Sequence, residues 1–122
     1  MIKSFEDFEV YKRSYTLALE IHKLCKRLPE EERFGLISQM KRASLSIPLN
    51  IAEGYGKKAS AADFKRFLAM SLGSCNEMQV LIRFSKDRGY ISTVEHEKYD
   101  DEYDQIGRML NVLISRWRGS NI

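Results

Sequence analysis

Residues 64–85 read FKRFLAMSLGSCNEMQVLIRFS, and the spacing of their small and apolar side chains decides the fold class. Steps of four and three residues alternate over three heptads, which is the periodicity of a helix with one buried face and not of a strand. The residues on this stripe are Phe64, Leu68, Ser71, Cys75, Met78, Ile82 and Ser85. The stretch predicts one long amphipathic helix.

Capping and turn residues on both sides of this stretch predict where it and the other helices of the chain begin and end. Ser60 with Asp63, and Ser92 with Glu95, have the spacing of capping boxes, and Gly89 is typical of a helix end. The predicted helices cover about residues 6–28, 31–54, 60–88 and 92–117. We expect Pro29 to close the first helix, the acidic run 30–32 to lie at the start of the second, and glycines 54 and 56 to end it.

The other three predicted helices carry stripes of the same kind. In the first helix the stripe is Phe8, Tyr11, Tyr15, Ala18, His22 and Cys25, widened by Val10, Leu17, Ile21, Leu24 and Leu28. In the second it is Leu36, Ile37, Met40, Ala43, Ile47 and Ile51, and in the fourth Tyr99, Tyr103, Ile106, Leu110, Leu113 and Trp117. No segment requires a strand.

These elements predict an all-α protein in which residues 1–122 form a single domain, an antiparallel up-down-up-down four-helix bundle, because short links favour antiparallel neighbours. Several apolar residues lie off the principal stripes, and two explanations stay open: broad stripes around a thick core, or a subunit interface. These residues are Val10, Leu17, Phe67, Leu81, Phe84, Met109 and Val112.

Charge and composition narrow the functional classes. The net charge is +3, but residues 1–91 hold 16 basic and 11 acidic groups (+5), whereas residues 92–122 hold 4 and 6 (−2). The start of the chain lacks a secretory pattern and no apolar run approaches the ~18–20 residues of a membrane span, so we expect a cytoplasmic protein without membrane contact. The two cysteines, Cys25 and Cys75, are expected to be buried free thiols.

A second informative stretch, residues 38–57, reads SQMKRASLSIPLNIAEGYGK. Pro48 removes a backbone donor and crowds the carbonyl of Ser44, which predicts a kink or a restart of the helix. A line of polar residues passes through this point: Gln39, Arg42, Ser46, Asn50 and Glu53. It is either a structural hydrogen-bond network that fixes the second helix against the third, with Arg42 pairing Glu77, or a ligand-binding face.

Basic residues are scattered along the chain in pairs. The candidate contacts to nucleic-acid phosphates are Lys23, Lys26, Arg27, Lys41, Lys57, Lys58, Lys65 and Arg66, with Arg42, Arg83, Lys86 and Arg88 as further cations. The alternative is an ordinary solvated helix surface. No motif that reads base edges occurs, so sequence-specific recognition is not expected.

Catalytic interpretations find little support. His22 and Cys25 lie one turn apart, but two ligands do not make a zinc site, and His22 is expected to pack in the core. His96 lies among acidic residues, and Gly54-Tyr55-Gly56 lacks the context of a phosphate-binding loop. We expect no enzymatic activity, no metal, no cofactor and no small-molecule substrate.

The residues of the second stretch carry a family resemblance. Gln39, Arg42-Ala43, Ser46-Ile47-Pro48 and Asn50 to Gly54 fill a Gln-x-x-Arg-Ala-x-x-Ser-Ile-Pro-x-Asn-Ile-Ala-Glu-Gly pattern, and Gly73-Ser74 with Glu77 fills Gly-Ser-x-x-Glu. Over nearly its whole length the chain resembles the bacterial four-helix bundle proteins encoded in 23S ribosomal RNA intervening sequences.

The resemblance implies a homopentamer, a form shared with the accessory variability determinant of diversity-generating retroelements, which partners RNA and a reverse transcriptase. It implies no catalytic residues. The leading hypothesis is a non-enzymatic oligomeric bundle that binds structured RNA, or an RNA-bound protein such as a reverse transcriptase, through its basic surfaces. The alternative is a protein interaction scaffold without nucleic-acid contact.

Overall fold

The computed structural model describes residues 1–118, and all regular structure within them is helical. Four long helices follow one another as α1 (Glu9–Cys25), α2 (Leu36–Tyr55), α3 (Ala61–Asp87) and α4 (Thr93–Arg116). Short 3₁₀ helices at Phe5–Asp7 and Glu30–Glu32 precede α1 and α2. The prediction of an all-α, four-helix protein is confirmed. No helix in the described part of the chain is both long and apolar enough to cross a membrane.

The predicted caps explain why α3 and α4 begin and end within a residue or so of the predicted positions. The hydroxyl of Ser60 accepts from the Asp63 amide at 3.2 Å, and Ser92 and Glu95 form a complete capping box. Gly89 has a φ of +77°, and the amide of the following Tyr90 donates to the Ser85 carbonyl at 2.9 Å. This is a Schellman ending, in which a residue with a Cβ would be strained.

The predicted boundaries of the first two helices are wrong at three ends. Extended backbone at Phe8 (ψ 128°) separates the first 3₁₀ helix from α1. After Cys25 the amides of Arg27 and Leu28 donate to the carbonyls of Leu24 and Cys25, so the α-helix gives way to tighter 3₁₀-type turns before Pro29. The acidic run at 30–32 does not start α2: it forms its own 3₁₀ helix, and Gly35, with φ −114° and ψ −103°, breaks the chain before Leu36. Gly54 lies inside α2, which ends at Tyr55.

The buried stripes on α2, α3 and α4 agree with the prediction, whereas the stripe on α1 is rotated. Tyr15 is 45% exposed, and His22 is half-buried, not a core residue. The buried face of α1 instead carries Val10, Ser14, Leu17, Ala18, Ile21, Leu24 and Cys25. A thick core thus accounts for Val10 and Leu17, and likewise for Phe67 on α3, but Phe84 and Val112 remain 47% exposed.

Pro48 does not restart the helix, because α2 continues through it to Tyr55. The two neighbouring serines do not donate to the Ser44 carbonyl that Pro48 leaves free: Ser44 Oγ donates to the Lys41 carbonyl, and Ser46 Oγ lies 2.8 Å from that of Ala43. Packing therefore holds the helix across the proline: Pro48 is buried, and Ser71 of α3 donates to the adjacent Ile47 carbonyl at 2.9 Å.

Side-chain contacts define two ends of the molecule. At the aromatic end, Phe8, Tyr55, Phe64 and Trp117 bring the start of α1, the end of α2, the start of α3 and the end of α4 together, with ring centroids 4.7–6.2 Å apart. At the other end, which we call the capped end, Tyr90 donates to Glu32 at 2.8 Å. The core runs between the two ends.

Candidate nucleic-acid interface

The structure divides the eight predicted phosphate-binding residues into two groups. Lys57, Lys58, Lys65 and Arg66, here called the turn cluster, lie at the aromatic end, in the turn after α2 and the first turns of α3. Lys23, Lys26, Arg27 and Lys41, here called the upper set, lie on the last turns of α1, just beyond it, and on α2. Because α3 has 27 residues and a helix rises ~1.5 Å per residue, the length of the molecule separates the two groups.

The turn cluster is the more cationic of the two groups. Within residues 1–118 its only ion pair joins Arg66 to Asp63, and at 3.8 Å this contact is long. Lys58 Nζ lies 4.1 Å from the centroid of the Tyr55 ring, and the Arg66 guanidinium lies 4.7 Å from that of Phe67. These cation–π contacts hold the charges in place without neutralising them.

The aromatic rings of the turn cluster are not available for stacking on bases. Tyr55 and Phe67 are 9% and 6% exposed, so their rings belong to the core and only contact the cations that cover them. Stacking on single-stranded bases needs exposed ring faces. The turn cluster is therefore suited to contacts with phosphate groups of the backbone and not to reading bases.

In the upper set one cation is already neutralised. Arg27 donates twice to Glu95, at 2.7 and 3.2 Å, which ties the end of α1 to the start of α4. The hydrogen bonds from Arg27 and from the Ser92 amide lower the pKa of Glu95 to about 2, and the same pair raises the pKa of Arg27. Lys41 lies on the flank of α2 that faces α1, where its carbonyl oxygen is 3.3 Å from His22 Nε2. The upper set is thus partly structural.

The predicted polar line lies along the contact between α2 and α3, and its contacts match the structural interpretation. Arg42 donates to Gln39 at 2.9 Å and forms the predicted ion pair with Glu77. Ser46 Oγ is 2.6 Å from Ser74 Oγ of α3, and the Asn50 amide donates to the Ser46 carbonyl at 2.8 Å.

Glu53 is the exception on the polar line. It is exposed and forms no ion pair or side-chain hydrogen bond within the described residues. Its carboxylate is free for a contact outside the chain.

The groups that could support other chemistry are buried or dispersed. Burial raises the pKa of the Cys75 thiol to about 12 and also raises the pKa of Cys25, so neither thiol is activated as a nucleophile. No cluster of three or more His, Cys, Asp or Glu side chains with the geometry of a metal site occurs among residues 1–118.

An apolar groove lies at the aromatic end, and the sequence indicated only some of the residues that line it. It runs between the start of α1 and the end of α4, has a volume of about 510 Å³, and is lined by Phe8, Glu9, Val10, Arg108, Met109, Val112, Leu113 and Arg116. Val10, Met109 and Val112 were signalled by their positions off the helix stripes. Arg108 and Arg116 carried no such signal, because nothing in the chain order shows that the two helix ends leave a gap.

The fold and the polar line define an all-α protein of four long helices whose contact between α2 and α3 is built on the Gln39–Glu53 motif. Residues 6–112 match the family described as 23S rRNA-intervening sequence protein, and the chain belongs to that family. This confirms the resemblance seen in residues 38–57 and 73–77.

A solved structure has a similar fold. The chain is similar to a protein of unknown function from the S23 ribosomal protein family of Bacteroides thetaiotaomicron, with 26% sequence identity and a TM-score of 0.78. The alignment covers 87% of this chain and 95% of the other. No curated protein matches the chain.

Proposed function

We propose that this protein is a non-enzymatic, self-associating bundle of alternating up and down helices that binds structured RNA through the turn cluster. The observation that carries the proposal is the turn cluster itself: four cations within ten residues, of which only Arg66 has an ion-pair partner in the described chain, and that one at 3.8 Å. Membership of a family named for 23S rRNA intervening sequences agrees with an RNA ligand.

Self-association supports the binding in two ways. Identical copies in a ring, such as the homopentamer implied by the family resemblance, would repeat the turn cluster on every subunit and raise avidity without a new contact. The exposed apolar side chains on the outer helix surfaces, among them Leu49 (58%) and Val80 (68%), agree with contacts between copies. Five copies should weigh about 71 kDa by light scattering, five times 14.2 kDa.

The test is the binding of the full chain to a fluorescent RNA stem-loop, followed by anisotropy between 50 and 200 mM salt. If the four cations each contact a phosphate, affinity should fall about 100-fold over this range. Reversing the turn cluster with Lys57→Glu, Lys58→Glu, Lys65→Glu and Arg66→Glu should abolish binding. A matched variant, Lys23→Glu, Lys26→Glu and Lys41→Glu with Lys98→Glu, changes the charge equally and should bind much more strongly than the first.

Circular dichroism and light scattering of both variants establish that folding and assembly are intact. If the turn-cluster variant is folded and binds the stem-loop with unchanged affinity, the turn cluster is not the RNA site. If the wild-type protein fails to bind at 50 mM salt, the RNA function itself is wrong.

A scaffold for partner proteins is the second candidate. It is favoured by Phe34, which is 91% exposed in the loop before α2, and by Val94, 75% exposed at the start of α4. The links place both residues at the capped end, away from the turn cluster. If the protein is such a scaffold, a protein partner should be lost on Phe34→Ser with Val94→Ser, and the wild type should show no RNA affinity even at 50 mM salt.

A further inference from the structure

The groove between α1 and α4 has the shape of a docking site for a helix. Its floor is apolar, from Phe8, Val10, Met109, Val112 and Leu113, and it is open to the outside. Binding sites for small molecules usually enclose most of the ligand, and this groove would leave much of such a ligand exposed. One face of a helix fits an open apolar groove better.

The same chain carries a ridge that complements this groove. Leu45 and Leu49 are 39% and 58% exposed and lie one turn apart on the side of α2 that faces away from the core. Glu53 follows one further turn along, exposed and without a partner in residues 1–118. We call these three residues the α2 ridge.

The groove lining holds Arg108, Arg116 and Glu9, which leaves one net positive charge, whereas the ridge ends in the single carboxylate of Glu53. Arg116, at the end of α4, lines the groove and has no ion pair within the described residues. Arg108 lines the groove too, but it is paired with Asp104 at 2.9 Å. The free arginine of the groove thus has a counterpart in the free carboxylate of the ridge.

Ridge and groove also agree in register. Ring contacts of Phe8 with Tyr55 and Trp117, at 5.5 and 6.2 Å, place the ends of α2 and α4 at one level. At ~1.5 Å per residue, Glu53, Leu49 and Leu45 lie ~3, 9 and 15 Å before the end of α2. By the same measure Arg116, Val112 and Met109 lie ~0, 6 and 10 Å before the end of α4. In two copies with the same orientation, Glu53 of the ridge therefore meets Arg116 of the groove. Leu49 and Leu45 meet Val112 and Met109 in the same way.

We propose that the α2 ridge of one copy fills the α1–α4 groove of a second copy that lies beside it in the same orientation, with Glu53 pairing Arg116 across the contact. The inference rests on the self-association in the proposed function and names the surfaces that perform it. Because ridge and groove are different surfaces, each copy in a dimer keeps one of them free, and further copies add to a ring or a row.

Complementation between two variants tests the contact. Leu49→Glu damages only the ridge and Val112→Glu only the groove, and both positions are about half exposed, so both variants should fold. Each alone should be a monomer of 14.2 kDa by light scattering. Their equimolar mixture has one intact ridge facing one intact groove, and should form a dimer of about 28 kDa, twice 14.2 kDa, and nothing larger.

Val94→Glu, at a position 75% exposed near the capped end, is the matched control and should keep the assembly of the wild type. If either single variant assembles like the wild type, or if the mixture stays monomeric, the assigned contact is wrong. A monomeric wild type would instead contradict the self-association in the proposed function, so the two failures are distinguishable.

Charge reversal tests the pairing of Glu53 with Arg116. Glu53→Arg and Arg116→Glu should each weaken association about three- to tenfold, and the double variant should restore it, because the pair is reversed and not removed. RNA affinity per subunit, measured on the monomeric Leu49→Glu background, should not depend on Arg116. A double variant that is no better than the product of the two single effects would overturn the pairing.

Discussion

The contact between α2 and α3 and the contact between α1 and α4 are built on opposite principles. Short residues close the first: Ser46 lies 2.6 Å from Ser74, Ser71 reaches the Ile47 carbonyl, and a Cβ on Gly54 would lie only 2.6 Å from that of Phe67. Because the side chains at a contact set the distance between helix axes, these residues let α2 and α3 approach closely.

Long side chains span the contact between α1 and α4. Arg13 donates to Gln105 at 2.8 Å, Lys98 to Glu20 at 3.2 Å, and Arg27 pairs with Glu95 at the capped end. At the aromatic end no ion pair among residues 1–118 joins the two helices, and there they leave the apolar groove. The first contact is therefore closed along its length, whereas the second leaves apolar surface exposed at the aromatic end.

We expect the strongest destabilisation from a substitution that disrupts the contact between α2 and α3. Gly54→Ala should destabilise the protein by about 2–3 kcal/mol, because the new methyl group collides with Phe67 and approaches Phe64 Cδ1 to 3.0 Å. Urea unfolding followed by circular dichroism measures this change.

Gly73→Ala is the matched control for Gly54→Ala. Gly73 is exposed on α3, and a Cβ there meets no atom within 4 Å. The same substitution should therefore raise stability by about 0.5–1 kcal/mol through helix propensity. Equal effects at the two glycines would contradict the close approach of α2 and α3 at Gly54.

The next substitution removes one buried hydrogen bond from the contact between α2 and α3. Ser71→Ala deletes the donor to the Ile47 carbonyl, 2.9 Å away beside Pro48, and should cost about 1–1.5 kcal/mol in unfolding free energy. Ser115→Ala, at an exposed serine of α4, should change stability by less than about 0.5 kcal/mol. If the two serines behave alike, Ser71 does not support α2 at the proline.

We expect a smaller loss of stability from the ion pair at the exposed edge of the contact between α2 and α3. Arg42 and Glu77 retain side-chain exposures of 56% and 36%, so a double-mutant cycle with Arg42→Ala and Glu77→Ala should give a coupling of about 0.5 kcal/mol. The coupling should shrink in 1 M salt. A coupling that salt does not reduce would show a role beyond charge pairing.

The last prediction concerns the contact between α1 and α4 at the capped end, where a change of pH makes the effect measurable. The folded-state pKa of Glu95, about 2, lies below the ordinary value of 4.5, so the Arg27–Glu95 pair stabilises the fold above pH 4.5. This advantage should disappear as pH falls from 4.5 towards 2. Glu95→Gln should thus be less stable than the wild type at pH 7 and equal to it near pH 2, and a difference that persists at pH 2 would contradict the pairing.

Local sequence signals predicted α3 and α4 closely, and they failed where tertiary contacts compete with them. Ser60, Ser92 and Gly89 mark helix ends through bonds to neighbouring residues, so their effect can be read from spacing alone. The extended backbone at Phe8 and the break at Gly35 depend on where the chain must turn to join the core. For the same reason the helix does not restart at Pro48, which lies inside α2.

The candidate site shows the same division. The basic residues and the pairing of Arg42 with Glu77 were predicted from spacing and residue type. Two features of the site were not predicted: the distance between the turn cluster and the upper set, and the ion pair in which Glu95 neutralises Arg27. Both depend on contacts between residues up to 68 positions apart.

The number and type of the helices, the buried stripe on three of them and the family could all be predicted from the sequence. Each of these rests on periodicity, caps or a motif, which are properties of residues close in the chain. Three features depend on contacts between distant segments: which face of α1 is buried, the close approach of α2 and α3 through short residues, and the groove between α1 and α4. That groove is lined by Arg116, which has no ion pair within residues 1–118. The distance between two helices depends on the size of side chains from distant segments once they meet, and no local pattern records it.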